Sequence, residues 1–180
     1  MNADVARCLA RMETETSAIL DKLSGWRAAQ LRFRIKPEHW SALMVIDHLA
    51  RVDACAIEQM QETLRLRRPM PMLNRPRCAF LVAIMETRLR VKVPRGIPAG
   101  VLPQHEKDLG VLIKEWRAAR AALRDFIERL TPGELAYGIF RHPVSGVVDA
   151  RGAMRFIAAH IRHHGFQIDR IKAHRGWANA

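Results

Sequence analysis

His160 and His164 stand four residues apart in Phe156-Ile157-Ala158-Ala159-His160-Ile161-Arg162-His163-His164, at positions where a packed helix ordinarily carries Leu or Ile. On a helix such a pair lies about 40° apart around the axis and about 6 Å apart along it, so both rings can turn to one point. That geometry suits a shared metal ion, which imidazole nitrogens hold at roughly 2 Å, with at least one further ligand from another element. His48, in Ile46-Asp47-His48-Leu49, is the candidate third ligand: Ser41, Met44, Val45, Val52 and Cys55 share its side of a second helix. An i,i+4 histidine pair also arises by chance among eight histidines, and on a surface helix it is simply solvated. Its place on an apolar stripe argues for the metal, because buried imidazoles need partners for their nitrogens.

Other residues near these three carry weaker signals. His163 is rotated about 100° from His164 and is expected at the edge of the site or on the surface. Gln167 can reach the site, but a surface or packing amide is the simpler reading. His142-Pro143 reads as a loop anchor whose ring can line a cavity mouth. Cys55 follows His48 by seven residues and can approach the site, although buried cysteine commonly acts as a small hydrophobe. Trp40 and Trp116 are expected in the core, and His39, His105 and His174 on the surface. No general base is evident beyond the three candidate ligands.

Four amphipathic helices must position these groups. The first carries Val5, Leu9, Met12, Thr16, Ile19 and Leu23 at helical spacing and stops at Gly25. The second runs from Ser41, a candidate N-cap, to about residue 66, and residues 43–46 are apolar on all sides. The third places Leu109, Ile113, Trp116, Leu123, Phe126 and Leu130 on one face and ends at Thr131-Pro132-Gly133. The fourth opens near Asp149 and aligns Ala153, Ile157, His160, His164, Ile168 and Ile171. Residues 137–148 allow only short extended pieces. The pattern predicts an all-α four-helix bundle with one domain over residues 1–180 and a long connector between helices 2 and 3.

The chain has 180 residues and a formal net charge of +12. Composition excludes wholesale disorder, and the length allows a core that needs no disulfide. Much of the charge lies in residues 61–104, which hold nine Lys or Arg against Glu62 and Glu86, together with six of the nine prolines. This segment reads as a connection with a short helix around residues 78–89. Its Arg88, Arg90, Lys92 and Arg95 can attract an anionic ligand if they lie over a site mouth. Cys8, Cys55 and Cys78 form neither a CxxC nor an even-numbered framework. With neither a signal peptide nor a run of about 18 apolar residues, the expectation is a reduced, cytoplasmic protein that does not cross a membrane. A pI near 10.9 also raises nucleic-acid binding, but zinc-finger, RNP and basic–aromatic signatures are missing.

Trp40-Ser41 followed by Ile46-Asp47-His48-Leu49, then Val93-Pro94-Arg95-Gly96-Ile97-Pro98, then His142-Pro143-Val144-Ser145-Gly146 and the run from Phe156 to Ile168 resemble the DinB-like proteins in order and separation. The resemblance implies an up-up-down-down bundle, often a homodimer, with a divalent metal on three histidines that correspond to His48, His160 and His164. It also implies zinc, nickel, iron or manganese, and thiol-dependent transferase or isomerase chemistry with mycothiol, bacillithiol or glutathione and an electrophilic substrate. Many such proteins have no known activity, so a catalytically silent metal- or ligand-binding bundle is the alternative.

Overall fold

The computed structural model describes residues 3–89, 98–104 and 107–180. Arg90, Lys92, Arg95 and His105, and most of the Val93–Pro98 motif, lie outside the described residues. The helices are α1 (Ala3–Leu23), α2 (Ala28–Arg32), α3 (Ala42–Leu64), α4 (Asn74–Met85), α5 (Leu109–Glu128) and α6 (Ala150–Lys172), with a hairpin of β1 (Phe140–His142) and β2 (Gly146–Val148) before α6. The helices form as their local chemistry requires. Gly25 takes a left-handed φ of 77° beyond the end of α1. The Ser41 hydroxyl accepts from the Met44 N–H at 3.3 Å to start α3, and Asp149 accepts from the Gly152 N–H at 2.7 Å to start α6. Pro76 sits in the first turn of α4, where its missing N–H costs nothing.

The packing resembles a four-helix bundle of α1, α3, α5 and α6, and side-chain pairs fix the helix directions. Between α1 and α6, Asp4 pairs with Arg151 at 3.2 Å, Glu15 with Arg162 at 3.4 Å and Lys22 with Asp169 at 2.7 Å. The two numbers rise together, so the first and last helices are parallel. Glu13, midway along α1, pairs with Arg124 late in α5 at 2.9 Å, and Arg32, beyond the end of α1, pairs with Asp108 at the start of α5 at 3.0 Å, so α1 and α5 run antiparallel. Asp47, early in α3, binds the Gln104 N–H just ahead of α5, and Gln59, late in α3, binds the Arg141 N–H beyond it. Helices α3 and α5 are therefore parallel, and the order is up-down-down-up rather than up-up-down-down. The cause is α4. It runs beside α6 in the same direction, marked by Asn74 on the Val147 carbonyl at 2.8 Å and Cys78 on that of Gly152 at 3.6 Å. It thus returns the chain to the end where α3 began, so that α5 repeats the direction of α3.

The core stripe of α1 is the one its sequence spacing gives. On α5 the buried residues are Leu112, Trp116, Arg120, Leu123 and Ile127, so the buried line lies one residue away from much of the expected set. Helix α6 is buried on several sides, because α1, α3 and α4 all pack on it, and only a narrow stripe with Arg151, Arg155, Arg162 and Lys172 is exposed. Each large apolar side chain removed from water here, such as Ile19, Leu49 or Leu123, contributes about 1.5–3 kcal/mol. No helix among the described residues is long and apolar enough to cross a membrane.

Candidate metal centre

Helix α3 supplies His48 and α6 supplies His160 and His164, and the antiparallel crossing of the two brings all three rings together. His160 Nε2 lies 3.0 Å from His164 Nε2 and 3.5 Å from His48 Nε2, and one ligand atom from each residue falls within 4.8 Å of the others. Nitrogens bound tetrahedrally at 2.0–2.1 Å stand about 3.3 Å apart. The cluster has the spacing of a divalent-metal site.

The outer ring nitrogens explain why these Nε2 atoms face inward. His48 Nδ1 lies 2.6 Å from the Val101 carbonyl, and His164 Nδ1 lies 2.9 Å from Gln167 Oε1. A carbonyl oxygen only accepts, so both Nδ1 atoms donate and both Nε2 atoms keep a lone pair directed at the cluster. His160 Nδ1 has no hydrogen-bond partner among the described residues, and its Nε2 faces the other two. Burial lowers the pKa of His48, and burial with the neighbouring rings holds those of His160 and His164 well below the usual value. Neutral imidazoles with converging lone pairs repel each other unless a proton or a cation lies between them. The donor set therefore fits a divalent ion, and it is the form of histidine that metals bind.

The support for these rings extends into both helices and the connector. Asp47 is buried, and its Oδ2 accepts from Arg51 Nε at 2.9 Å and from the Gln104 N–H at 3.0 Å. That contact ties residues 98–104 to α3 and places the Val101 carbonyl over His48. Phe156 stacks on His160 with centroids 5.4 Å apart, and Trp40 lies 4.9 Å from His48 and stacks on His164 at 6.1 Å. A cavity of about 440 Å³ adjoins the cluster, with Val52, Cys55, Gln59, Phe140, Arg141 and Arg170 among its lining residues.

Several neighbours differ from their sequence-based expectations. Gln167 is a partner of His164 and not a surface amide. Its spacing three residues after His164, on one helix face, was the available signal. His163 is buried and not on the surface; it lies at the edge of the site, its ring 5.9 Å from that of His164 and among the cavity-lining residues. Trp40 packs against the core but also walls the site, and Trp116 is core as expected. His142 is a loop anchor whose Nδ1 accepts from the Val144 N–H at 3.1 Å and lies 3.4 Å from the Ser145 N, and its ring also lines the cavity. Cys55 reaches the cavity wall, with burial raising its thiol pKa. His39, expected at the surface, is half-buried and lines the cavity too. His174 is half-buried away from the cluster, its ring 5.5 Å from Phe33. The Val101 carbonyl had no sequence signal, because any residue supplies a carbonyl. Arg88 lies over the Phe166 ring at 5.1 Å and is not among the cavity-lining residues.

Fold and site together define a helical bundle with a buried three-histidine cluster between two antiparallel helices. The family model described as the DinB superfamily matches residues 9–168, so the chain belongs to the DinB superfamily. Comparison with curated proteins and with solved structures gave no match.

Proposed function

We propose that this protein is a divalent-metal-dependent enzyme whose ion is held by the Nε2 atoms of His48, His160 and His164. We further propose that it is a transferase or isomerase acting with a low-molecular-weight thiol such as mycothiol, bacillithiol or glutathione. The observation that carries the metal is the convergence of three imidazole Nε2 atoms, two of which are left with inward lone pairs because a carbonyl oxygen holds the proton on the other ring nitrogen. When bound, a zinc, nickel, iron or manganese ion supplies a Lewis acid that stabilises a thiolate at neutral pH. The thiol reading draws on the family resemblance together with the adjoining cavity, whose volume suits a small ligand.

The chain's own residues do the remaining work. The Val101 carbonyl and Gln167 hold two rings in the ligand tautomer, and Trp40 and Phe156 fix the ring planes and keep water from their faces. Three protein ligands leave coordination positions for substrate, as catalytic sites require. The reading includes a cytoplasmic homodimer, the dimer drawn from the family resemblance and the reducing compartment from three cysteines that form no disulfide.

Metal analysis of protein purified without a nickel column tests the centre. Near-stoichiometric transition metal is expected in the wild type and its loss in His160→Ala, with an unchanged circular dichroism spectrum. Metal-free wild type overturns the reading. Bound metal with no turnover across a panel of thiols and electrophiles supports instead a bundle that binds ligands without catalysis.

A further inference from the structure

Helix α4 is apolar on two sides. Its buried residues are Asn74, Cys78, Leu81, Val82 and Met85, and the helix packs against α6 and β2. At about 100° per residue, Leu73, Pro76, Phe80 and Ala83 fall on the opposite side, and all four are exposed. Leu73 is 71% exposed and Phe80 69%, and Met72, just ahead of the helix, is 88% exposed. Single apolar side chains on a surface are ordinary, but a row of them on one helix face marks a place where something docks.

The surroundings of this face are basic. Residues 63–85 hold Arg65, Arg67, Arg68, Arg75 and Arg77 and no acidic residue, and all five arginines are exposed. Arg75 and Arg77 stand at the two borders of the apolar row. On the Arg75 side a cleft of about 390 Å³ opens between α4 and the start of α6, and Pro76 and Ala79 belong both to its lining and to the exposed surface of α4. Three arginines line this cleft, Arg75, Arg151 and Arg155, against one acid, Asp149. That acid is already engaged, since its Oδ1 accepts the Gly152 N–H at 2.7 Å and its Oδ2 lies 3.8 Å from Arg75 Nη2. Arg151 pairs with Asp4 at 3.2 Å, a surface contact of the kind that holds an arginine only weakly.

We propose that the outer face of α4 docks on an anionic lipid surface, with Met72, Leu73 and Phe80 entering the acyl boundary while Arg77 and the cleft of Arg75, Arg151 and Arg155 take headgroup phosphates. An apolar row bordered by cations and free of acids is complementary to such a surface in both respects. A second copy of the chain fits this face poorly, because it would set the arginines of one α4 segment against those of the other with no acid from the segment between them. Nucleic acid answers the arginines but leaves Leu73 and Phe80 in water. No helix among the described residues is long and apolar enough to span a bilayer, so the contact is peripheral. The proposal is independent of the metal reading, since none of these residues lines the metal-site cavity.

Co-sedimentation of the full chain with vesicles tests the proposal, using phosphatidylcholine alone and phosphatidylcholine mixed with an equal amount of phosphatidylglycerol. Wild type is expected to bind the mixed vesicles, to ignore the neutral ones, and to bind less as salt is raised. Phe80→Ser removes an apolar tip without touching charge and is expected to weaken binding about tenfold. Arg77→Gln and Arg155→Gln are each expected to weaken it about fivefold. Arg117→Gln, an exposed arginine on α5, is expected to match wild type. These side chains are exposed, so an unchanged circular dichroism spectrum is expected for every variant. No binding to the mixed vesicles, equal binding to both kinds, or a Phe80→Ser variant that binds like wild type overturns the proposal. A wild-type dimer that Phe80→Ser converts to monomer in light scattering assigns the face to a second copy and also overturns it. So does retention of duplex DNA at physiological salt that the arginine variants lose and Phe80→Ser keeps.

Discussion

His48 and Asp53 lie five residues apart on α3, and each brings a polar group into the bundle interior, but into opposite circumstances. Asp53 Oδ2 receives the Trp116 indole N–H at 2.8 Å and Arg120 Nε at 3.0 Å, with Arg120 Nη2 at 2.7 Å. Burial pushes the Asp53 pKa up, and Arg120 and Trp116 oppose that. Charge meets charge, and although Arg120 Nη1 is buried with no hydrogen-bond partner among the described residues, the cluster is built around an ion pair. At His48 the ring donor points outward to Val101 and the lone pair points inward at the Nε2 atoms of two other rings, beside a cavity. A buried cluster centred on an ion pair serves the fold, and one left with converging acceptors has a place for something else.

Substitution at Asp53 should give the largest effect on folding. Asp53→Ala leaves the Arg120 guanidinium buried without its counter-charge and is expected to cost about 3–5 kcal/mol, read from urea unfolding, without changing metal content in the folded fraction. The double variant Asp53→Leu with Arg120→Met should recover most of that loss, as replacing a buried pair with apolar groups commonly does. A stable Asp53→Ala would erase the contrast between the two clusters.

The histidine cluster should respond in the opposite currency. Gln167→Leu removes the acceptor that fixes the His164 tautomer and is expected to weaken metal binding about 10–100-fold in competition with a chelator. The urea midpoint of the metal-free protein should hardly move. Unchanged metal affinity would show that packing alone orients His164.

The smallest effect concerns the hairpin at the cavity mouth. Burial pushes the His142 pKa down to about 4 from the ordinary 6.5. Its Nδ1 accepts backbone N–H groups, so the folded form needs the neutral ring. Between pH 6.5 and 4 the unfolded chain takes a proton that the folded chain refuses, and stability therefore falls as pH drops through that window. His142→Asn keeps an acceptor without the titration and should flatten this part of the melting-temperature profile. An unchanged slope would assign the pH dependence to other groups.

How far the sequence led follows from the same physics. Gly25, Ser41, Asp149 and Thr131-Pro132-Gly133 act within one or two turns of themselves, and they marked helix ends that the structure reproduces closely. The histidines were legible because they interrupt an apolar stripe. Asp53 and Arg120 interrupt stripes in the same way, beside Leu49 and Ala56 on α3 and between Trp116 and Leu123 on α5, and that signal went unread. Helix directions were not legible, since they depend on where α4 carries the chain and no local pattern encodes that. The short α2 was missed because five residues give too little periodicity.

The parallel pairing of α1 with α6 also governs how the chain can assemble. Helix α1 is made before the other described helices, yet the surface that buries much of its apolar stripe belongs to residues 150–172. Its long-range contacts carry the loop-closure cost that slows folding. During synthesis, Leu9, Met12 and Ile19 must stay uncovered or find temporary cover until residues 150–172 have been made. Any truncation that removes α6 takes away two of the three histidines and, with them, the partner that the first helix has been waiting for.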